Sequence, residues 1–249
     1  MSESTINIAT PEELAAAYRR SGEREEERRR DGAAIVGYKV GFTNTQAWAQ
    51  LGVSEPMWGA MYDQSVVNVG EGPFHFVMAG LNGPRIEPEI VLHFFKAPHA
   101  DATIEQVLSC VDWLAQGYEV VLTPADGKPA TALEAIAQGG MHGALLVGQP
   151  RKVADLGSDV VARLSEISLE LYCDGELKET GKGATVLSNP LNSVLHLIKG
   201  LAQHGRAPLK AGDTVTTGTL TAAYPISEGQ RWTTRLAGLE LPNLDVTFE

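Results

Sequence analysis

The chain has little cysteine, no long apolar run and no excess of basic residues. Its two cysteines, Cys110 and Cys173, have neither a metal-binding spacing nor a disulfide framework, which favours a reducing compartment. No apolar segment approaches the ~20 residues of a membrane span. The 20 Lys and Arg residues are outnumbered by 31 Asp and Glu, and the net charge of −11 argues against nucleic acid or an anionic membrane as a partner. Because the N-terminus also lacks a signal-peptide pattern, we expect a cytoplasmic protein.

The motifs of several enzyme classes are also missing. The sequence contains no Gly-x-Ser-x-Gly elbow, no Walker spacing and no Rossmann fingerprint, and its six histidines do not cluster like a zinc site. What it does have is a hydrophobic fraction of 43% over 249 residues. That is enough for the core of one large domain.

Local patterns predict a chain in which strands outnumber helices. Thr10, Pro11 and Glu13 form a helix N-terminus with a capping box, and the charged helix is expected to run in solvent to Arg30. Asp174-Gly175 predicts a tight hairpin turn. Further helices are predicted at 45–51, 103–116, 130–138 and 190–204. Strands are predicted at 33–42, 65–69, 74–78, 85–95, 118–122, 143–148, 167–173, 176–180, 214–217, 231–236 and 244–248. We therefore expect an α+β fold with a mixed or antiparallel β core.

Two carboxylates stand one residue apart in the apolar run from Pro84 to Leu92. In an extended strand, residues i and i+2 point to the same face, so Glu87 and Glu89 project together. Two partly buried like charges raise each other's pKa, and their burial is costly unless a cation lies between them. A hard divalent ion held by carboxylate oxygens removes that cost. The alternative is an amphipathic strand with both glutamates in water.

Two further charged residues interrupt strand-like apolar runs. Glu119 follows Glu89 by 30 residues with a helix expected in between, and a strand-helix-strand unit can bring it beside the glutamate pair. Three carboxylates suit Mg²⁺ or Mn²⁺ and leave positions for a chelating substrate. Lys39, flanked by Gly37 and Gly41, could bind an anionic substrate or offset the charge of the metal site. A strand-edge role for Glu119 and a solvent-directed Lys39 side chain are the alternatives.

The combined pattern resembles the 2-keto-4-pentenoate hydratase and 4-oxalocrotonate decarboxylase branch of the fumarylacetoacetate hydrolase superfamily. Its most specific part is Pro-Arg-Ile-Glu-Pro-Glu together with the glycine-flanked lysine. The matching segments span most of the chain in consistent order, at 37–43, 50–53, 58–59, 84–90, 118–121, 181–183, 189–192 and 209–218. The resemblance implies a fumarylacetoacetase-like mixed β core, a β-roll, with an N-terminal helical segment. We accordingly divide the chain into an N-terminal helical and strand segment, 1–70, and a catalytic β domain, 71–249.

The resemblance also implies roles for individual residues. The metal ligands, for Mg²⁺ or Mn²⁺, would be Glu87, Glu89 and Glu119. The catalytic candidates are Lys39 and Asp63, and His142 is added as our own hypothesis, apart from the resemblance. The substrate-binding candidates are Arg85, Thr217, Gly218 and Thr219.

Three segments depart from the family pattern. The usual Ser-Arg pair and Asp-Trp after the third glutamate are replaced by residues 121–128, and the usual Asp-Asn-x-Ser before the buried strand is replaced by residues 138–143. The common Ser or Cys after the Gly-x-Gly stretch is Ala184. We therefore expect an altered substrate end of the pocket, with His142 in place of a missing polar group, although a histidine before a buried strand is more often structural.

The resemblance predicts a divalent-metal-dependent hydratase for a 2-hydroxy-2,4-dienoate, the enol of a 2-keto acid formed in meta-cleavage of aromatic rings. A decarboxylase of a 4-oxalocrotonate-like diacid would use the same metal site, and a non-catalytic partner subunit is a third alternative. An acylpyruvate hydrolase would need an N-terminal His/Glu pair, but no histidine precedes His75. We also expect a homo-oligomer, or an association with a partner decarboxylase or hydratase.

Overall fold

A computed structural model describes residues 8–124, 127–128 and 130–249. Within these ranges the chain forms six α-helices and fourteen β-strands. The helices are α1 (Pro11–Arg30), α2 (Trp48–Leu51), α3 (Ile104–Leu108), α4 (Ala132–Ala137), α5 (Val160–Glu166) and α6 (Pro190–Gln203). The strands are β1 (Ile35–Gly41), β2 (Met57–Tyr62), β3 (Val66–Gly70), β4 (Phe74–Phe76), β5 (Arg85–Phe94), β6 (Val111–Val121), β7 (His142–Gly148), β8 (Arg151–Lys152), β9 (Ser168–Cys173), β10 (Glu176–Lys182), β11 (Thr214–Thr216), β12 (Tyr224–Pro225), β13 (Arg231–Ala237) and β14 (Asp245–Phe248).

The strands form two sheets, and the larger one curls into a half-barrel. In the described chain it has nine strands in the order β2-β1-β11-β5-β6-β7-β3, with β12 paired to β5 and β8 paired to β6. β5 pairs antiparallel with β6, and β1 pairs parallel with β11. The smaller sheet has the order β10-β9-β13-β14-β4. Because β5 and β6 are central strands, side chains on them are held by neighbours on both sides.

The two faces of β5 have different surroundings. Ile86, Ile90 and Leu92 belong to the main hydrophobic core, whereas Val91 packs in a second, smaller cluster with Met61, Ala115, Leu145 and Val147. Side chains alternate along a strand, so Glu87 and Glu89 share the face of Val91. Glu87 and Glu89 therefore lie in one row of side chains with Val91, which is fully buried.

The contacts that attach helix α1 to the body include an aromatic stack and a buried ion pair. Tyr18 stacks on Trp58 with ring centroids 4.5 Å apart. Arg206 Nη1 lies 2.8 Å from Glu25 Oε2, and the two side chains are 18% and 8% exposed. The expectation that the charged part of α1 is solvated is thus wrong for Glu25, because Arg206 offsets its charge inside the protein.

The helix predicted at 103–116 is also wrong. Thr103 and Gln106 do form a capping box, but α3 ends at Leu108 and an 11-residue strand, β6, begins at Val111. The strand is central and buried along most of its length, so its nearly continuous apolar run also fits a helical spacing. The expected order of strand, helix and strand is present, with a shorter helix, and Glu119 lies opposite Glu87 because β5 and β6 pair antiparallel.

Most of the other predicted elements are present within two to three residues of their expected bounds. The capping box of α1 and the 174–175 hairpin turn are confirmed. Strands β2, β8 and β12 and helix α5 were not predicted. Among the described residues, none of the helices has the length and apolarity needed to cross a membrane. The N-terminal residues used for the signal-peptide expectation lie outside the described ranges, and the division of the chain at residue 70 stays a prediction.

Candidate metal and substrate site

Three glutamates converge on two adjacent strands. Glu87 and Glu89 project from one face of β5, and the register of the sheet places Glu119 of β6 directly opposite Glu87. One carboxylate oxygen from each residue lies within 4.8 Å of the other two. Glu89 and Glu119 are buried, and Glu87 is half-buried. The structure thus brings together the three predicted metal ligands, and the solvated alternative does not apply to them.

Lys39 lies beside these carboxylates and is cut off from solvent. Its Nζ is 2.9 Å from Glu119 Oε2, with the two side chains 1% and 0% exposed. The same ammonium donates to the Gly140 carbonyl at 3.2 Å. Gly140 has a φ of +76°, and a Cβ at this position would stand 2.6 Å from Lys39 Cδ. A glycine at 140 therefore gives the lysine stem its space, and Lys39 does not reach the surface.

Burial and charge act in opposite directions on the protonation of this cluster. Burial raises the pKa of Glu87 to about 7, although Lys39 offsets part of the effect. Burial, with added repulsion from the other two glutamates, raises the pKa of Glu89 well above its usual range. Burial disfavours ionisation of Glu119 as well, but Lys39 and His142 outweigh it and lower the pKa of this carboxyl. Burial is likewise outweighed at Lys39, whose pKa is raised by the three carboxylates.

The donor set fits a hard divalent cation. Carboxylate oxygens are the ligands that Mg²⁺ and Mn²⁺ prefer. Glu89 Oε1 is buried and lacks a hydrogen-bond partner among the described residues, which is costly for a carboxylate without a cation nearby. If all three glutamates ionise, the single charge of Lys39 leaves two negative charges, and one divalent ion would neutralise them.

The loop between β11 and β12 runs beside the glutamates. The Gly218 N–H donates to Glu89 Oε2 at 2.7 Å, and the φ of +105° at Gly218 favours glycine there. Thr217 is buried, and its hydroxyl donates to the Ile90 carbonyl at 3.1 Å. The Thr219 hydroxyl donates to a carbonyl of the same loop at 2.9 Å. Of these three predicted substrate-binding residues, Gly218 is the one that contacts a candidate metal ligand, and the two threonine hydroxyls hold the loop.

A cavity of about 300 Å³ lies next to the cluster. Its charged lining residues are Lys39, Glu87 and Arg85, and the Arg85 guanidinium also donates to the Ala223 carbonyl. The rest of the wall is mainly apolar and comes from β1, β2 and the segment that joins β6 to β7. Its members are Gly41, Phe42, Met57, Val121, Leu122, Thr123, Pro124, Ala130, Ala135, Gly140 and Met141. A volume near the lower end of the usual range for ligand pockets suits a small molecule.

Two of the predicted catalytic residues do not line this cavity. Asp63 is exposed at the end of β2, where its Oδ1 accepts the N–H groups of Ala34 at 3.1 Å and Gln64 at 3.0 Å. The structure therefore gives Asp63 a turn-stabilising position away from the glutamates. His142 is buried behind Glu119, and its Nδ1 lies 3.0 Å from Glu119 Oε1. It contacts a candidate ligand and not the cavity.

Two residues of the site carry no signal in the sequence. The Gly140 carbonyl holds Lys39, and the Ser65 hydroxyl lies 2.9 Å from His142 Nε2. A backbone oxygen 101 residues away from Lys39 and a lone serine belong to no motif. They are found only when β1, β3 and β7 are assembled.

Residues 35–242 match the family model described as fumarylacetoacetate (FAA) hydrolase, C-terminal. A 4-oxalocrotonate decarboxylase of Pseudomonas putida is 33% identical over 218 residues, covering 87% of this chain and 78% of the relative. A 2-keto-4-pentenoate hydratase of Burkholderia vietnamiensis (strain G4 / LMG 22486) is 28% identical over 214 residues, covering 85% of this chain and 78% of the relative.

A solved structure shows the same fold. The 4-oxalocrotonate decarboxylase from Pseudomonas putida G7, complexed with magnesium and adipate, has a TM-score of 0.83 and 28% identity, covering 95% of this chain and 86% of that one. The same enzyme has been solved with calcium and acetate. The fumarylacetoacetase-like fold expected from the sequence is thus confirmed, and a divalent metal is supported without distinguishing which one.

Proposed function

The chain belongs to the fumarylacetoacetate hydrolase family, and on this basis we propose that it is a divalent-metal-dependent lyase acting on a 2-keto acid or its 2-hydroxydienoate enol. The observation that carries the proposal is the convergence of Glu87, Glu89, Glu119 and Lys39 beside a mainly apolar cavity, which Glu87 and Lys39 line. Relatives named as hydratases and decarboxylases support a lyase. The choice of substrate rests on the charge of the cavity and on its mainly apolar lining.

Within this class, the proposed reaction is hydration of a 2-hydroxy-2,4-dienoate with a single carboxylate. Three ionised glutamates would be offset by Lys39, Arg85 and a divalent cation, leaving one positive charge for a monoanion. Apart from Lys39, Glu87 and Arg85 the lining is mainly apolar, with Leu122, Pro124 and Met141 among its members. A second carboxylate placed against these apolar side chains, out of reach of Arg85, would lose water without gaining a partner, which costs several kcal/mol.

The protein's residues have separate tasks in this reaction. The three glutamates would hold the metal, which when bound would act as a Lewis acid towards the carboxylate and 2-oxygen of the substrate. The Lys39 ammonium, fixed by the Gly140 carbonyl, stabilises the negative charge that develops on the 2-oxygen as the enol proton leaves. Protonation at the far carbon of the diene gives an unsaturated 2-keto acid, to which water adds. The apolar wall excludes water from the diene and keeps the diene oriented.

The test follows the absorbance of 2-hydroxypenta-2,4-dienoate with Mg²⁺ or with EDTA. We expect metal-dependent decay that yields a 4-hydroxy-2-keto acid. Glu87→Gln should abolish the metal-dependent decay of the dienoate. The matched change Glu12→Gln, at an exposed position of α1, should leave the rate of decay unchanged. Absence of decay with every divalent metal tried would refute the hydratase.

A decarboxylase of a 4-oxalocrotonate-like diacid is the second candidate. In its favour, the decarboxylase relative has the higher identity, 33% against 28% for the hydratase, and the related solved structure holds adipate, a diacid. In that reaction the polarised 2-oxo group of the substrate would accept the electrons released with CO₂. Metal-dependent CO₂ release from 4-oxalocrotonate, with no hydration of the dienoate, would select this candidate.

We also propose that the chain forms a homo-oligomer, in keeping with the family resemblance. Light scattering coupled to size-exclusion chromatography measures this directly. A mass equal to the 26.7 kDa of one chain would contradict it. A stoichiometric complex with a purified decarboxylase or hydratase partner would instead support the heteromeric alternative.

A further inference from the structure

His142 lies on the side of Glu119 that faces away from the substrate cavity. Its side chain is 3% exposed, and beyond it is a void of about 20 Å³ against α1, lined in part by Arg24, Arg28 and Tyr62. A void of this size holds about one water and no substrate. His142 therefore acts on the reaction, if at all, through Glu119.

The donor and the acceptor of the hydrogen bond between His142 and Glu119 can be assigned. An ionised carboxylate only accepts, so the nitrogen facing Glu119 Oε1, Nδ1, carries the hydrogen. The other nitrogen, Nε2, is 2.9 Å from Ser65 Oγ. Each ring nitrogen thus has one partner, and the ring is held at both ends.

Ser65 is itself fixed by the backbone of the turn between β2 and β3. Its Oγ accepts the Tyr62 N–H at 3.2 Å, and its single hydroxyl hydrogen is donated either to the Tyr62 carbonyl at 3.0 Å or to His142 Nε2 at 2.9 Å. Its carbonyl accepts the Leu145 N–H of β7 at 2.8 Å. A rigid path of hydrogen bonds therefore leads from this turn through Ser65 and His142 to one oxygen of Glu119.

We infer that Ser65 and His142 form a positioning pair that orients Glu119 for the divalent metal and thereby sets metal affinity. The inference rests on the proposed metal site. By holding Oε1, the pair keeps the Glu119 carboxylate from rotating away from Glu87 and Glu89. Ordering a glutamate side chain on metal binding costs conformational entropy. Here the hydrogen bonds of the folded protein order Glu119 before the metal binds. Hydrogen-bonded partners of metal ligands typically contribute about 10–100-fold in metal affinity.

The experiment measures Mn²⁺ affinity by electron paramagnetic resonance for the full chain and four variants. His142→Phe keeps a ring but removes the donor, and we expect binding about 10–100-fold weaker. Ser65→Ala leaves the ring free to turn and should weaken binding about tenfold, the lower end of that range. His142→Asn places an amide N–H where Nδ1 stood and should recover most of the affinity. Ser165→Ala, which removes a half-buried hydroxyl that contacts the Ala162 carbonyl on α5, is the matched control and should bind like the parent.

The outcomes separate this inference from the proposed function. If the parent binds Mn²⁺ and both Ser65→Ala and His142→Phe bind it equally well, the positioning role is wrong and the metal site stands. If the parent binds no divalent metal, the metal site and the positioning role both fall. Thermal unfolding in EDTA detects a variant that is merely misfolded. Weaker Mn²⁺ binding by Ser65→Ala with unchanged unfolding, and recovery by His142→Asn, would not result from a general packing defect.

Discussion

Replacing Lys39 by methionine should destabilise the metal-free protein far more than the metal-bound protein. The change keeps the aliphatic stem and removes the charge. Because Lys39 and Glu119 are 1% and 0% exposed, the pair is not screened by solvent. Removing one partner of such a buried pair costs about 3–5 kcal/mol.

The loss should lie near the lower end of that range and should depend on pH. Glu87 already has a pKa of about 7, above its ordinary 4.5, so the cluster can take up a proton when Lys39 is removed. A carboxyl whose pKa is raised on folding binds more protons in the folded state, so its contribution to stability falls as pH rises from 4.5 towards 7. Without Lys39 the pKa rises further, and the penalty should be about 3 kcal/mol near pH 8 and smaller near pH 6.

Urea unfolding of the parent and Lys39→Met, with EDTA and with saturating Mg²⁺, measures these differences. The metal supplies positive charge to the same carboxylates, so the deficit of the variant should shrink when Mg²⁺ is bound. Lys210→Met is a matched control, because Lys210 pairs with Asp213 at 2.6 Å but is 67% exposed and lies outside the cluster. An equal deficit with EDTA and Mg²⁺, and at both pH values, would refute the electrostatic reasoning and reduce Lys39 to a packing residue.

Three further changes test other parts of the structure. Gly140→Ala should shift the Lys39 stem and lower kcat of the metal-loaded enzyme about 10-fold or more while metal affinity stays near parental, as steady-state kinetics with Mn²⁺ titration would show; an unchanged kcat contradicts it. Arg206→Ala should lower the free energy of unfolding by about 3 kcal/mol and Glu25→Gln by less, because Glu25 is the more deeply buried partner and Arg206 keeps its hydrogen bond to the Tyr18 carbonyl when Glu25 is replaced; equal losses in urea unfolding oppose this. Leu122→Arg should raise the ratio of kcat/KM for a dicarboxylate to that for a monocarboxylate, and a ratio that does not move contradicts the apolar-wall argument.

The carboxylate pair was predictable because its evidence is local. A period of two places Glu87 and Glu89 on one face whatever the rest of the chain does. The third candidate ligand was placed beside this pair correctly, but the helix before it was predicted too long. The buried strand β6 has apolar residues on both faces, so its pattern also fits a helix, and the antiparallel register opposite Glu87 depends on long-range pairing.

The rest of the site depends on contacts that no local pattern encodes. Asp63 follows the matching segment 58–59 in sequence, but the antiparallel pairing of β1 and β2 places it beyond Tyr62, the partner of Ile35, whereas Lys39 pairs with Gly59. His142 was chosen for its chemistry, and its place behind Glu119 follows from the pairing of β7 with β6. The positions of Ser65 and of the Gly140 carbonyl likewise follow from the pairing of the strands.

The cavity wall and the candidate metal ligands lie on different kinds of structural element. The glutamates are on central strands paired on both sides, and much of the apolar wall comes from the 122–141 connection between β6 and β7. Mutations in that connection can therefore accumulate without moving the charges, which makes it the natural place for descendants of this protein to diverge. Exchange of the whole connection between relatives would give chimaeras in which substrate preference is inherited separately from metal dependence.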